Sequence, residues 1–203
     1  MASKEQIANR ALQRIGATRI SSLDEGSKNA NAVKFIIDQI IDEELRANYW
    51  TFAITRAALA ADSETPLFDR SYQYSLPSNY LRMAPRDPSY ASAPTDWLFE
   101  GRKLLTNEGA PLNIRYVRND ATPETYDANF AGAVAMRIAM EIAEEITQSS
   151  SKQDRLEAAY KFFVDQAKKL NGIEGGPIAP EIDEMVLVRV TEANDPTTRK
   201  FSN

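Results

Sequence analysis

The chain has 203 residues, 43% of them hydrophobic and 26% charged, with 24 basic against 29 acidic side chains and a formal net charge of −5. It contains no His and no Cys, which excludes Ser-His-Asp and Cys-His catalysis, thiolate zinc sites, disulfides and the Glu-x-x-His ligand pairs of di-iron helical proteins. The acidic balance sets the molecule as a whole against collecting on nucleic acid or an anionic membrane. No apolar run approaches the ~20 residues of a membrane span, and Met1–Arg10 lacks the basic start and apolar stretch of a signal peptide. The expectation is a soluble, unexported chain of one domain with a smaller module inserted in it or attached to it.

Ser3 with Gln6 reads as a capping box and Gly16 as the stop of a first helix, whose stripe is Ile7, Ala8, Ala11, Leu12 and Ile15. Ser27 is expected to cap a second helix to about Asn48, with Ala30, Val33, Ile37, Ile40, Ile41 and Leu45 inward. Lys34, Asp38, Asp42 and Glu43 form its polar face. From Trp50 the period is lost, and Pro66, Pro77, Pro85, Pro88, Pro94 and Pro111 argue against long helices. Short strands are expected instead: Tyr72–Leu76, Thr95–Phe99 turning at Glu100-Gly101 into Arg102–Thr106, and a third strand with Leu112, Ile114 and Tyr116 on one face. Together they read as one antiparallel meander.

Helix resumes at Tyr126-Asp127 and runs to about Gln148, with Phe130, Val134, Ile138, Ile142 and Ile146 spaced by four and many small residues between them. Ser149-Ser150-Ser151 is expected to break it. A fourth helix covers Asp154–Leu170 and is expected to end at Asn171-Gly172. Gly175-Gly176-Pro177 and Pro180 read as a hinge before a β-type run, Met185–Val190, and a polar tail. The fold class is therefore α+β. Residues 1–49 and 121–172 form an antiparallel helical bundle, residues 50–120 a small antiparallel β insertion between helices 2 and 3, and residues 173–203 an extended C-terminal arm. Such an arm has too little apolar surface to fold alone and is suited to lie on a neighbour. Its apolar positions Met185, Val186, Leu187, Val188 and Val190 are the candidate partner-binding residues.

Paired carboxylates are the densest remaining chemistry. Asp38 and Asp42 lie one turn apart, as do Glu141 and Glu145, with Glu144 beside them. Two carboxylates ~5–9 Å apart could serve glycoside hydrolysis, although acidic pairs at this spacing are also ordinary on a solvated helix face. The glycines at 172, 175 and 176 follow a helix and match no phosphate-binding spacing, and no Gly-Lys-Ser/Thr occurs. The connection between the first two helices is too long for a helix-turn-helix. Arg102, Lys103, Arg115 and Arg118 read as the polar face of the meander, and Tyr49, Trp50 and Phe52 as core where bundle and sheet meet. No catalytic residue, metal site or cofactor is expected.

The order of several strings resembles one family. Ala30-Asn31-Ala32, then Asn48-Tyr49-Trp50-Thr51-Phe52-Ala53 with Arg56-Ala57 and Leu59, is similar to a W-x-F-A…R-A…L stretch. Tyr74-Ser75-Leu76-Pro77 with Leu81-Arg82 is similar to a Y-x-L-P…L-R element, and Trp97–Thr106 with Ile114-Arg115-Tyr116 to the hairpin and strand after it. Across about Glu5–Leu170 the chain resembles the tail tubular protein A family, the head-to-tail adaptors of short-tailed, podovirus-type phages. The resemblance implies a non-enzymatic virion protein of the viral tail, made in the host cytoplasm. It further implies a ring of twelve subunits that joins the portal protein to the tail nozzle protein. DNA would pass through the ring during ejection, and no membrane is involved. Acidic residues Glu141, Glu144 and Glu145 would suit a channel wall to which DNA must not adhere. Two other classes stay open: a tail-associated carbohydrate-active hydrolase, and a monomeric tail assembly or completion factor.

Overall fold

In a computed structural model, the structure describes residues 3–85, 96–148 and 150–174. It is mixed α/β, with four helices and two small antiparallel sheets. Helix α1 spans Lys4–Ile15, α2 Lys28–Ala47, α3 Ala128–Thr147 and α4 Ser150–Glu174. Their starts and stops follow local chemistry. Ser3 and Gln6 satisfy each other's backbone N–H reciprocally, and Gly16 closes α1 in the left-handed conformation at φ 76°. The Ser27 hydroxyl accepts from the Ala30 N–H at 3.2 Å. The Asp127 carboxylate accepts from the Asn129 and Phe130 N–H groups at 2.8 and 3.3 Å.

Helix α3 is the centre of the helical part. Eleven of its residues are buried, from Phe130 to Ala143, and it packs against α1, α2 and α4. One apolar core joins all four helices to Trp50, Ala53, Val117 and Ala121 of the β region. Trp50 and Phe52 meet Phe130 at centroid distances of 4.9 and 5.0 Å, and Tyr126 completes the cluster at 5.0 Å from Phe130. Tyr49 packs against the edge of this core. The expected aromatic junction is therefore present.

The strands are β1 Ile54–Leu59, β2 Tyr72–Ser75, β3 Tyr80–Ala84, β4 Leu98–Glu100, β5 Lys103–Thr106 and β6 Leu112–Arg118. They do not form the single meander expected. The hairpin of β4 and β5 is as expected, with Gly101 at φ 59° in its turn. Strand β6, however, leaves β5 and pairs between β1 and β3, giving sheets β1-β6-β3 and β2-β5-β4. The reason is burial. Leu112, Ile114 and Tyr116 of β6 pack with Tyr74 and Leu104 of the other sheet and with Trp97 just before β4; two facing layers cover apolar surface that one sheet would leave wet.

Two helix boundaries also differ from expectation. The break after α3 falls at Gln148, which takes the left-handed conformation at φ 53°, and Ser150 and Ser151 are already helical. At the other end α4 continues through Asn171-Gly172 and Ile173 to Glu174. The Asn171 side-chain amide donates to the Tyr49 carbonyl and accepts from the Thr51 N–H, both at 2.8 Å. That pair of bonds anchors the last turns, and Gly172 has open space around it. Residues 173 and 174 therefore belong to α4 and not to an extended arm.

Candidate assembly surfaces

The three acidic residues expected on one face are brought together. Glu141, Glu144 and Glu145 are all exposed near the C-terminal end of α3. Glu141 is held by Arg137, one turn earlier, at 2.8 Å. Arg137 also reaches Glu43 at 3.2 Å and Glu44 at 3.6 Å. It lies over the Tyr160 ring with 5.7 Å to the centroid. The Lys28 ammonium donates to the Glu145 carbonyl at 3.2 Å. This face is thus a ridge of carboxylates on a pinned helix.

Behind the ridge sits a group that the sequence reading passed over. Glu44 of α2 is only 2% exposed. Its carboxylate accepts from the Tyr160 hydroxyl, and its backbone carbonyl accepts from the Trp50 indole at 2.7 Å. Burial pushes the Glu44 carboxyl above the usual carboxylate range, against the opposing pull of Tyr160 and Arg137. Burial, with the bond to Glu44, raises the Tyr160 phenol to about 12. The signal was available: position 44 stands four after Ile40 and three after Ile41, on the inward stripe.

Asp38 and Asp42 line a cleft of about 370 Å³ with Lys4, Asn119, Asp120 and Tyr126. Asp38 is paired to Lys4 at 2.6 Å. Burial, and less strongly Asp38, push the Asp42 carboxyl upward, while a bond from Asn119 pulls it down. Among the described residues no group of three or more His, Cys, Asp or Glu could hold a metal ion. No helix among them is long and apolar enough to cross a membrane.

The basic residues of the β region are mostly occupied internally. Arg102 donates to the carbonyls of Pro77 and Ser78. Lys103 is paired to Asp62. Arg118 reaches Asp120 at 3.2 Å. Arg82 stacks over Tyr49 with 4.3 Å to the ring centroid. The four expected on one polar face do not share it, because Arg102 and Lys103 belong to the β4–β5 hairpin and Arg115 and Arg118 to β6 of the other sheet.

Large apolar side chains stand open in two separate regions. On the helices Phe35 is 91% exposed, Ile173 77% and Phe162 61%. On the second sheet and its approach Leu67 is 97% exposed and Phe68 74%, and both flank a groove with Leu98 and Leu105. Phe35 lies off the inward stripe of α2, so its exposure was legible. That of Leu67 and Phe68 had no periodic signal. The candidate partner residues Met185, Val186, Leu187, Val188 and Val190 lie outside the described residues, as does the rest of the expected arm from residue 175 onward.

No protein-family model matches the chain, and no curated protein matches it.

Proposed function

We propose that this chain is a structural virion protein, a head-to-tail adaptor whose copies form a ring between portal and tail nozzle. In this reading the four helices are an antiparallel bundle that builds the ring wall, and the two sheets project from it. One observation carries most weight. Each copy leaves large apolar side chains open at different places, Phe35 on α2, Phe162 and Ile173 on α4, and Leu67 and Phe68 on the approach to the second sheet. Exposed apolar groups of this size mark interaction sites. Closing a ring by rotation takes two such different patches, each meeting the other on the next copy. The resemblance to tail tubular protein A supplies the particle and the twelve-fold count. The ridge of Glu141, Glu144 and Glu145 lines the channel, where carboxylates let DNA phosphates pass without adhering.

The test is the mass and rotational symmetry of the protein in isolated particles by electron microscopy, with Phe35→Ser and Phe68→Ser variants alongside. A closed ring that each variant disrupts supports the reading. A protein absent from the finished particle overturns it in favour of a monomeric assembly factor. A second reading draws on the Asp38 and Asp42 cleft, in which a carboxyl raised by burial lies beside an ion-paired one. It calls for turnover of an oligosaccharide that Asp42→Asn abolishes.

A further inference from the structure

Two exposed features of this chain carry opposite charge. The first is a tip between β1 and β2. The Arg70 N–H donates to the Phe68 carbonyl at 2.8 Å across Asp69, which sits at φ 65°. That is a three-residue turn, left-handed at its centre. It presents Leu67 and Phe68 to solvent, with Asp69 and Glu64 exposed beside them. Neither carboxylate has an ion pair among the described residues. The tip is nonetheless held at both ends. Before it, the Asp62 N–H donates to the Gln73 carbonyl at 2.9 Å, and the Asp62 carboxylate accepts from Lys103 and Ser75. After it, the Arg70 side chain donates to the Asp96 carbonyl at 2.8 Å and the Ser71 N–H to the Asn107 side chain at 3.0 Å. Two apolar side chains thus stand in water on a fastened turn, where much of the ordering cost of docking is met in advance.

The second feature is the open part of sheet β1-β6-β3. Arg56 of β1 stands directly opposite Arg115 of β6. Antiparallel partners share a face, so two guanidinium groups lie side by side, an arrangement that destabilises a sheet unless an anion joins it. Arg115 donates to the Pro85 carbonyl at 3.3 Å. Arg56 is exposed, and no carboxylate pairs with it among the described residues. Ala58 and Asn113 continue the same face, and these residues border an open groove of about 480 Å³.

We infer that the Leu67–Phe68 tip of one copy docks in the Arg56 and Arg115 groove of the adjacent copy. Asp69 supplies the anion between the two guanidinium groups, Phe68 lies against a guanidinium plane, and Leu67 covers Ala58. Glu64 adds to the negative field of the tip. Leu67 and Phe68 stand open within their own copy, so a chain's own groove does not take its own tip. A donor patch that meets a different receiving patch is a head-to-tail contact, which closes into a ring where the rotation allows. The inference rests on the ring reading for its adjacent copy and refines it: the arginine groove receives the tip, and Phe35, Phe162 and Ile173 on the helices are left for other contacts.

The absence of native cysteine makes the test direct. Full-length chain carrying Leu67→Cys is mixed with full-length chain carrying Ala58→Cys, and the mixture is oxidised. Pairs linking the two are expected, whereas Gln13→Cys, exposed on α1, should link to neither. Arg56→Glu beside Ala58→Cys should lower the yield by at least about tenfold, since like charges across a contact repel. Asp69→Lys beside Leu67→Cys should do the same. Asp69→Asn, which tolerates the left-handed turn, should lower it less. Combining Arg56→Glu with Asp69→Lys should raise the yield above either alone. Arg56→Glu also removes a like-charge neighbour from its own ladder, so its melting temperature should not fall; a lost link with an unchanged melt is a lost contact. No linked pair, Leu67→Cys chains linking only to each other, or indifference to Arg56→Glu overturns the inference. So does a loss of duplex DNA binding in Arg56→Glu with linking unchanged, which assigns the arginines to phosphate. Closed rings without these links sink this contact alone, whereas linked copies that never close sink the ring reading alone.

Discussion

The Tyr160 hydroxyl on α4 donates a 2.5 Å hydrogen bond to the Glu44 carboxylate on α2, which lies 116 positions earlier in the chain. With Arg137 of α3 beside both, this one contact ties three helices together inside an otherwise apolar region. Removing the phenol leaves the carboxylate buried with one partner fewer. Tyr160→Phe is therefore expected to cost about 1–3 kcal/mol in denaturant unfolding. Glu44→Gln, which keeps an acceptor for the phenol, should cost less.

The same pair sets a pH signature. Because burial holds the Glu44 carboxyl above its ordinary value of 4.5, the folded chain binds that proton more tightly than the unfolded chain does. The stabilisation from protonating it is complete below 4.5 and is lost as pH rises through the folded value. The stability of wild type minus that of Glu44→Gln should accordingly fall between mildly acidic and neutral pH. A flat difference would show that Glu44 is not the buried acid described.

Glu25 provides the opposite sign. Its carboxylate accepts from the Ser27 hydroxyl at 2.6 Å and from the Ser21 hydroxyl and N–H at 2.7 Å. These bonds lower it to about 2, Ser27 contributing most. The contribution is present above the ordinary 4.5 and is lost as pH falls towards 2. Acid titration followed by NMR of the Ser21 amide should show this midpoint in wild type and lose it in Glu25→Gln.

Two glycines at helix ends are expected to respond in opposite directions. Gly16 sits at φ 76°, where a side chain is strained, so Gly16→Ala should destabilise by about 1–2 kcal/mol. Gly172 is helical with open space at its missing side chain. Gly172→Ala should stabilise by roughly 0.5 kcal/mol. Paired thermal melts decide both.

For the proposed channel, Glu144 and Glu145 are the positions to reverse, because Glu141 is already engaged with Arg137. Glu144→Lys with Glu145→Lys should slow DNA exit from the particle and leave ring formation intact. Unchanged ejection kinetics would remove these residues from the channel wall.

How much of this was legible varies with the range of the interaction responsible. Ser3, Gln6, Gly16, Ser27 and Asp127 act within one turn of their own helix, and each helix start or stop that they mark stands where the sequence places it. The turn at Gly101 is similarly local. The pairing of β6 with β1 joins Val117 to Ile54 across more than sixty positions, and no local pattern encodes it. The end of α4 was misread for the same reason: Asn171 resembles a stop signal in isolation, and only its bonds to Tyr49 and Thr51 reverse that meaning. Among the surfaces, the acidic ridge was readable from spacing. The facing of Arg56 and Arg115 was not, since it exists only once the distant strands β1 and β6 pair.

The central place of α3 has a consequence for synthesis. Helices α1 and α2 bury their stripes chiefly against it, yet it is completed roughly a hundred residues after α2 ends. At ~5–20 residues per second, a nascent chain shows those greasy flanks to solvent for about 5–20 s before their cover emerges from the ribosome. That interval, and not any step in the finished fold, is when a chaperone has most to hold.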